Sequence, residues 1–312
     1  MVKLNYILKR LLQMIPVILI VMVLIFVLMR MIPGDPAIVM LGRARPEVLE
    51  AYRIKMGYYD SFFVQFWRFF TNTFKFDLGD SLHFRMPVTK LIGSRFIVTM
   101  WLTVFSTILT ILISIPLGYL AGIKKDKVED QCIRSFSLFG LSMPSFWVGL
   151  MLLLIFGVRL QWLPVSGWAD DFAGRLRTLI LPSLTLAIAT SGVIIRNTRN
   201  NIVDVKSHDY VDFARAKGVS NARVSTAHII RNALIPTVTL IGMRVGYMLG
   251  GSVIIESIFS LPGMGELLVS SVLRRDYAVV QGVVIVFVII IMLINLITDL
   301  LYSVIDPRIT LK

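Results

Sequence analysis

The sequence predicts an all-α integral membrane protein with six spans, and three observations carry that expectation. Hydrophobic residues make up 56% of the 312 and charged residues only 16%, with a mean hydropathy of +0.78; soluble domains average roughly 25% charged residues. Six stretches, at about 11–31, 98–123, 133–158, 178–195, 235–259 and 278–305, have the length and apolarity of a membrane helix, which needs roughly 20 residues. Basic residues gather in the short segments between those stretches.

The first stretch follows Lys3, Lys9 and Arg10 and runs into Met31-Ile32-Pro33-Gly34-Asp35-Pro36. It is too long for a signal-peptide core and lacks a small-residue cleavage site, so it is expected to stay as an N-terminal transmembrane helix, residues 1–32. Lys124, Lys125, Lys127 and Arg134 crowd the link between the second and third spans; Arg196, Arg199, Lys206, Arg215, Lys217, Arg223 and Arg231 lie between the fourth and fifth. By the positive-inside rule these segments, and both termini, face the cytoplasm. Residues 33–97 then form an extracytoplasmic loop region, too long for its own basic residues to bear on orientation. Within it Pro46 opens a short helix to Met56, and Ser61 caps the aromatic run Phe62-Phe63-Val64-Gln65-Phe66-Trp67-Arg68-Phe69-Phe70. That run is too short to span; it is expected to anchor in the interface, with substrate contact the alternative.

The net charge of +13 is accounted for by loops near anionic headgroups, and no nucleic-acid motif or basic-aromatic groove accompanies it. Cys132 is the single cysteine and His83, His208 and His228 are dispersed, which excludes an intrachain disulfide and leaves no metal-site spacing. There is no phosphate-binding Gly-x-x-x-x-Gly-Lys-Ser/Thr, no His-Glu-x-x-His and no serine triad in register, so the chain is not expected to catalyse or to bind a cofactor.

The most informative segment is 209–236. Ser207 or Asp209 can cap a short helix in which Tyr210, Phe213, Ala214 and Lys217 recur at i, i+3, i+4 and i+7, a mixed apolar face. Gly218 ends it, Ser220 starts a second helix, and that helix leads through His228 and Asn232 to Pro236 and the fifth span. Such a helix can enter a partner's groove or lie on the inner leaflet; periodicity alone leaves both open. In the fifth span Arg244 stands near the middle, within Gly242-Met243-Arg244-Val245-Gly246, and a charge there is either a pathway residue or half of a pair inside the bundle. Glu256, about 18 Å further along the helix, cannot pair with it. Arg30, Glu256 and Asp299 lie near span ends, where snorkelling or capping accounts for them. The prolines Pro16, Pro116, Pro144 and Pro182 fall inside spans, with kinks expected at Pro116 and Pro144.

Asp212-Phe213-Ala214 followed by Gly218 resembles the Glu-Ala-Ala, three residues, Gly pattern of the "EAA" loop in bacterial ABC importer permeases. Asp212 replaces Glu conservatively, while Phe213 departs from the small alanine. His228-Ile229-Ile230-Arg231-Asn232 has the form of the dipeptide, oligopeptide and nickel subfamily. Pro33-Gly34-Asp35-Pro36, Asp77-Leu78-Gly79-Asp80-Ser81, Ile115-Pro116-Leu117-Gly118, Ser142-Met143-Pro144-Ser145-Phe146-Trp147, Trp162-Leu163-Pro164, Leu181-Pro182-Ser183, Glu256-Ser257-Ile258-Phe259-Ser260-Leu261-Pro262-Gly263-Met264-Gly265, Arg275-Asp276-Tyr277 and Asp306-Pro307-Arg308 resemble it in the same order; Ile97 stands where proline is common.

The resemblance implies a six-helix type I ABC importer transmembrane fold with a long extracytoplasmic loop after the first helix. Residues 98–305 would be the core, 196–234 the cytoplasmic coupling loop and 306–312 a cytoplasmic tail. It further implies an ATPase-docking surface that takes in Tyr210, Asp212, Phe213, Ala214, Arg215, Lys217, Gly218, His228, Arg231 and Asn232. The implied partners are two ATPase subunits that use ATP and Mg, a homologous second permease, an external substrate-binding protein and membrane lipid. Dipeptides or short oligopeptides are the implied cargo, with nickel or metal chelates, glutathione or sugars as alternatives. A self-contained secondary transporter or channel is a more distant reading; it would need intramembrane acidic relays or an inverted repeat, and neither is evident.

Overall fold

The structure, a computed structural model, describes residues 4–31, 35–42, 44–55, 57–81 and 83–305. Lys3, Pro33 and Gly34 of the Pro-Gly-Asp-Pro motif, Met56 and the segment 306–312 with its Asp-Pro-Arg lie outside the described residues.

Helix α1 (Leu4–Met31) begins a full two turns before the apolar stretch and carries Pro16 without a break. Asp35 caps α2 (Pro36–Leu41), its Oδ1 accepting the Ala37 N–H at 2.8 Å. In α3 (Pro46–Lys55) Arg53 reaches back to Asp35, at 2.5 and 2.9 Å, and to Glu50 at 2.9 Å. Together α2 and α3 form a small charged clip. Helix α4 (Phe62–Phe74) starts after Ser61, whose hydroxyl makes no capping bond. Phe62, Phe66 and Phe69 of α4 surround Phe26 of α1 with ring centroids 5.2–5.6 Å apart, while Phe63 and Trp67 point outward. Arg30 lies on Phe26, 3.5 Å from its centroid, and bonds Gln65, so this end-of-span charge is stacked as well as snorkelled.

A two-residue hairpin, β1 (Asp80–Ser81) and β2 (Met86–Pro87), pairs Asp80 with Pro87 and Ser81 with Met86. Its Ser81 hydroxyl donates to the buried Asp276 ahead of the last helix at 2.5 Å. Helix α5 (Val88–Ile123) follows, ten residues longer at its start than the apolar stretch, because Val88, Leu91 and Ile92 there are buried in a core cluster while Thr89, Gly93 and Ser94 face outward. Along it Thr99, Thr103, Ser106, Thr110 and Ser114 are buried; Thr103, Thr110 and Ser114 donate to the carbonyl one turn back, which satisfies those hydroxyls inside an apolar layer.

The third span departs from a straight helix. Stretch 133–158 divides into α6 (Val128–Ser142) and α7 (Ser145–Leu152), and α7 continues as a π-helical turn to Arg159. The two halves are bent by 104°. Pro144 lacks an N–H and forces Met143 into extended backbone (φ −87°, ψ 132°), so the expected kink is a full break.

Helix α8 (Phe172–Lys206) is capped by Asp171, which accepts the Gly174 N–H at 2.9 Å. It packs along α5 so closely that a Cβ at Gly118 would come within 2.6 Å of Thr198. After α9 (Asp209–Ala216), α10 (Asn221–Arg223) passes through a π-helical stretch, Val224–Ile230, into α11 (Arg231–Ile258). Next come α12 (Met264–Leu273) and α13 (Tyr277–Ile305). Among the described residues, five helices are long and apolar enough to cross a membrane, six with the broken pair.

Two charges near span ends prove to be built in. Glu256 is fully buried and accepts from Thr99 Oγ1 at 2.8 Å and from the N–H groups of Gly265 and Glu266 at 2.6 and 3.2 Å. It caps α12 from α11; it does not snorkel. Asp299 of α13 pairs with Arg10 of α1 at 2.9 Å, joining the first and last helices.

Candidate functional site

The polar elbow between α8 and α11 stands on its own small core. Ile202 from α8, Val211 and Ala214 from α9, and Val224, Ile229 and Ala233 form one buried cluster, with Tyr119 and Ile123 of α5 packed on it. The inward face of α9 is thus Val211 and Ala214. Tyr210 and Phe213, which the spacing grouped with Ala214 on one apolar face, point outward at 41% and 61% exposure. The correction has a simple cause: an eight-residue helix presents one narrow face to the cluster, and the smaller Val and Ala fit against Ile202 where the rings cannot.

The start of α9 also differs from expectation. His208, with no side-chain bond to the helix, is the N-cap; Ser207 instead closes α8 by donating to the Asp204 carbonyl at 2.7 Å. The His208 ring bonds that same carbonyl through Nδ1 at 2.8 Å. At the other end Gly218 has φ +77°, a left-handed position that glycine occupies without strain, as its spacing predicts.

The outward surface is ordered by short-range pairs. Arg215 donates to Asp212 at 3.0 Å, and the Lys217 ammonium sits 4.6 Å from the Phe213 ring centroid. Asn232 donates to the Tyr210 hydroxyl at 3.1 Å and to the His228 carbonyl at 2.8 Å, tying α9 to the start of α11. Arg231 is exposed beside it. Tyr119 and Ser225 share a hydrogen bond, Lys206 donates to the Ile123 carbonyl at 3.2 Å, and Asn201 donates to the Ala233 carbonyl at 3.2 Å. The elbow is therefore braced against α5, α8 and α11 at once.

Arg244 lies apart from this surface. It is half-buried on α11, with its guanidinium 5.6 Å from the Tyr247 ring centroid, and within the described residues no carboxylate pairs with it. One element escaped the motif reading. Asp130 of α6 has no solvent exposure and is held by Arg199 of α8 at 2.6 and 2.8 Å, with the Asp126 N–H adding 2.9 Å. These residues are 69 apart in sequence, so no local pattern announces the latch. No group of three or more His, Cys, Asp or Glu residues is arranged to hold a metal among the described residues.

A long-helix membrane core with an exposed, braced amphipathic helix between its fourth and fifth spans is the architecture of an importer permease. Residues 114–311 match the family described as binding-protein-dependent transport system inner membrane component, and residues 3–103 match its N-terminal component. The chain belongs to that family, in its peptide and nickel branch, and is a membrane-spanning permease of a binding-protein-dependent ABC importer. It is 44% identical over 310 residues to the glutathione transport system permease protein GsiC of Salmonella paratyphi A, covering 99% of this chain and all of that one. With the GsiC of Escherichia coli K12 the identity is 42% over the same coverage. The inward-facing MetNI methionine ABC transporter aligns with a TM-score of 0.58 at 14% identity, over 69% of this chain and 96% of that one. An amino acid ABC transporter solved with histidines gives 0.50 at 20% identity, over 71% and 95%. These likenesses show the type I importer fold. Family membership removes the self-contained secondary transporter or channel from consideration.

Proposed function

We propose that this chain forms one half of the translocation pathway of an importer for short peptides, and that α9 is its docking helix for an ATPase subunit. A homologous second permease stands beside it, two ATPases bind ATP and Mg below, and an external binding protein delivers cargo. The chain itself is non-catalytic. Both termini and the elbow face the cytoplasm, with residues 33–97 outside, 98–305 the core and 306–312 an inner tail. The single observation that carries the docking role is the exposure of Tyr210 and Phe213 on a helix whose other face is locked into the core. Two aromatic anchors one turn apart are what a groove on a partner would take. Asp212, Arg215 and Lys217 then set the polar rim, Ala214 and Gly218 fix the helix, and His228, Arg231 and Asn232 carry its movement into α11.

Glutathione is the first cargo to test, since the GsiC relatives are similar from end to end and glutathione is itself a small peptide; metal chelates are the second reading. Arg244 is assigned to the pathway side of α11, where it meets a carboxylate of cargo or of the second permease. The assembled importer, reconstituted with its ATPases and binding protein, provides the test. Phe213→Asp is expected to keep the permease folded and membrane-inserted but to cut cargo-stimulated ATP hydrolysis and uptake by at least tenfold. Val211→Asp is expected to lower stability instead, because it buries a charge. A Phe213→Asp importer with wild-type ATPase stimulation would sink the docking assignment.

A further inference from the structure

We infer that the cleft between α6 and α8 is a binding site for an anionic phospholipid. The two helices meet where Gly192 of α8 backs onto α6; a Cβ there would lie 2.6 Å from the Ser137 carbonyl oxygen. They are joined again by the Asp130–Arg199 latch. Ile133 of α6 packs on Ala121 and Ile195 between these points, and alongside that contact line lies a cavity of about 290 Å³. Its walls are apolar, from Ala121, Leu138, Leu141 and Ile195, and its rim carries Arg134 and Arg196.

Both rim arginines are exposed, and neither forms an ion pair within the described residues. Asp130 spends its hydrogen bonds on Arg199 and the Asp126 N–H, so Arg134 feels its charge without a direct contact. Two exposed guanidinium groups with no ion-pair contact among the described residues, over an apolar hollow, match an amphiphile with an acidic head. Guanidinium forks suit a phosphodiester, and the hollow suits the upper part of an acyl chain. Basic pockets between membrane helices bind anionic head groups for this reason. The cavity is bounded by α5, α6 and α8, on the stretch of α8 that leads directly into the elbow. A lipid seated there would brace α6 against the helix that delivers force from α9. The binding itself is independent of the docking role; only its placement in the cytoplasmic leaflet rests on the proposed orientation.

The test is native mass spectrometry of the assembled importer after reconstitution in equimolar phosphatidylglycerol and phosphatidylethanolamine. Wild type is expected to retain phosphatidylglycerol preferentially. Arg134→Gln with Arg196→Gln is expected to reduce that preference about tenfold or more. Leu138→Trp keeps both charges but fills the hollow, and is expected to weaken retention as well. That variant carries the test alone if the double variant does not assemble. Lys125→Gln, a basic residue outside the cavity, is expected to leave the preference intact. Unchanged preference in the arginine pair and in Leu138→Trp, or equal loss in Lys125→Gln, overturns the site. Displacement of the lipid by millimolar inorganic phosphate, with Leu138→Trp still binding as wild type, overturns the lipid assignment in favour of a free anion.

Discussion

Asp130 shows at the scale of one residue how this bundle uses charge. A carboxylate without solvent exposure is tolerable because the Arg199 fork satisfies both oxygens. Replacing the pair by apolar residues of similar volume can be neutral, but removing one partner strands the other. Arg199→Gln is therefore expected to destabilise the purified permease by about 3 kcal/mol, read as a lower thermal midpoint, whereas Asp130→Asn with Arg199→Gln is expected to recover part of the loss. An Arg199→Gln midpoint equal to wild type would show that the pair is ornamental. Residues of this kind were the least legible in the sequence. Asp130 reads as an ordinary first-turn acid of α6, and only the fold brings Arg199 to it. Glu256 was half legible: its place near a span end suggested a cap, but the helix it caps, α12, lies beyond the turn.

At the scale of elements, legibility followed the physics of each signal. The long apolar helices were read correctly because length and hydropathy are sufficient for them. The depth of the break at Pro144 is not legible in the sequence, since membrane helices often absorb a proline and apolar composition is the same on both sides of a 104° bend. The glycine end of α9 was found because Gly218 carries its own backbone preference; its buried face was misassigned because aromatic rings look like core until Val211 and Ala214 are seen to fill it. The α2–α3 clip joins Asp35 to Arg53 across 18 residues, which no local pattern announces, and its chemistry predicts a pH response. Hydrogen bonds from Arg53 hold the Asp35 and Glu50 carboxyls below their ordinary values of 3.8 and 4.5. Depressed acids stabilise the folded form above those values and lose that contribution as pH falls through the folded ones. Spin labels at Ile38→Cys and Ile54→Cys, in a Cys132→Ser background, are expected to give a narrow distance distribution at about pH 6 and a broad one at about pH 3. Arg53→Gln is expected to be broad at both; a distribution indifferent to pH in the unsubstituted clip would rule out this electrostatic account.

For the whole molecule, the question is what covers the faces that the chain leaves open. On α1, Leu12 and Ile20 are exposed and apolar, which suits acyl chains. The open side of α11 is different: Met243, Tyr247, Gly250 and Ile254 form an exposed stripe beside Arg244, mixing a phenol, a glycine and a nearby charge with apolar groups. Lipid hydrocarbon gives a phenol and a guanidinium no partner, while a second permease or a wet pathway can. Gly250, with nothing within 4 Å of where a Cβ would stand, leaves room in the stripe for a partner helix to approach. If a second permease stands beside this chain as proposed, the stripe is expected to form the seam between them. Tyr247→Cys in a Cys132→Ser background is expected to crosslink to the sister subunit in the assembled importer, and Leu12→Cys is expected not to. Binding of ATP should change the yield at Tyr247, because the elbow that would receive the ATPase stroke is continuous with α11 through Asn221–Ile258. A Tyr247→Cys thiol that reacts with lipid-soluble maleimide in the assembled importer and never crosslinks would place the stripe against lipid. Arg244 would then need its carboxylate from within the bundle, and the path from α9 through α11 to the pathway would lose its last step.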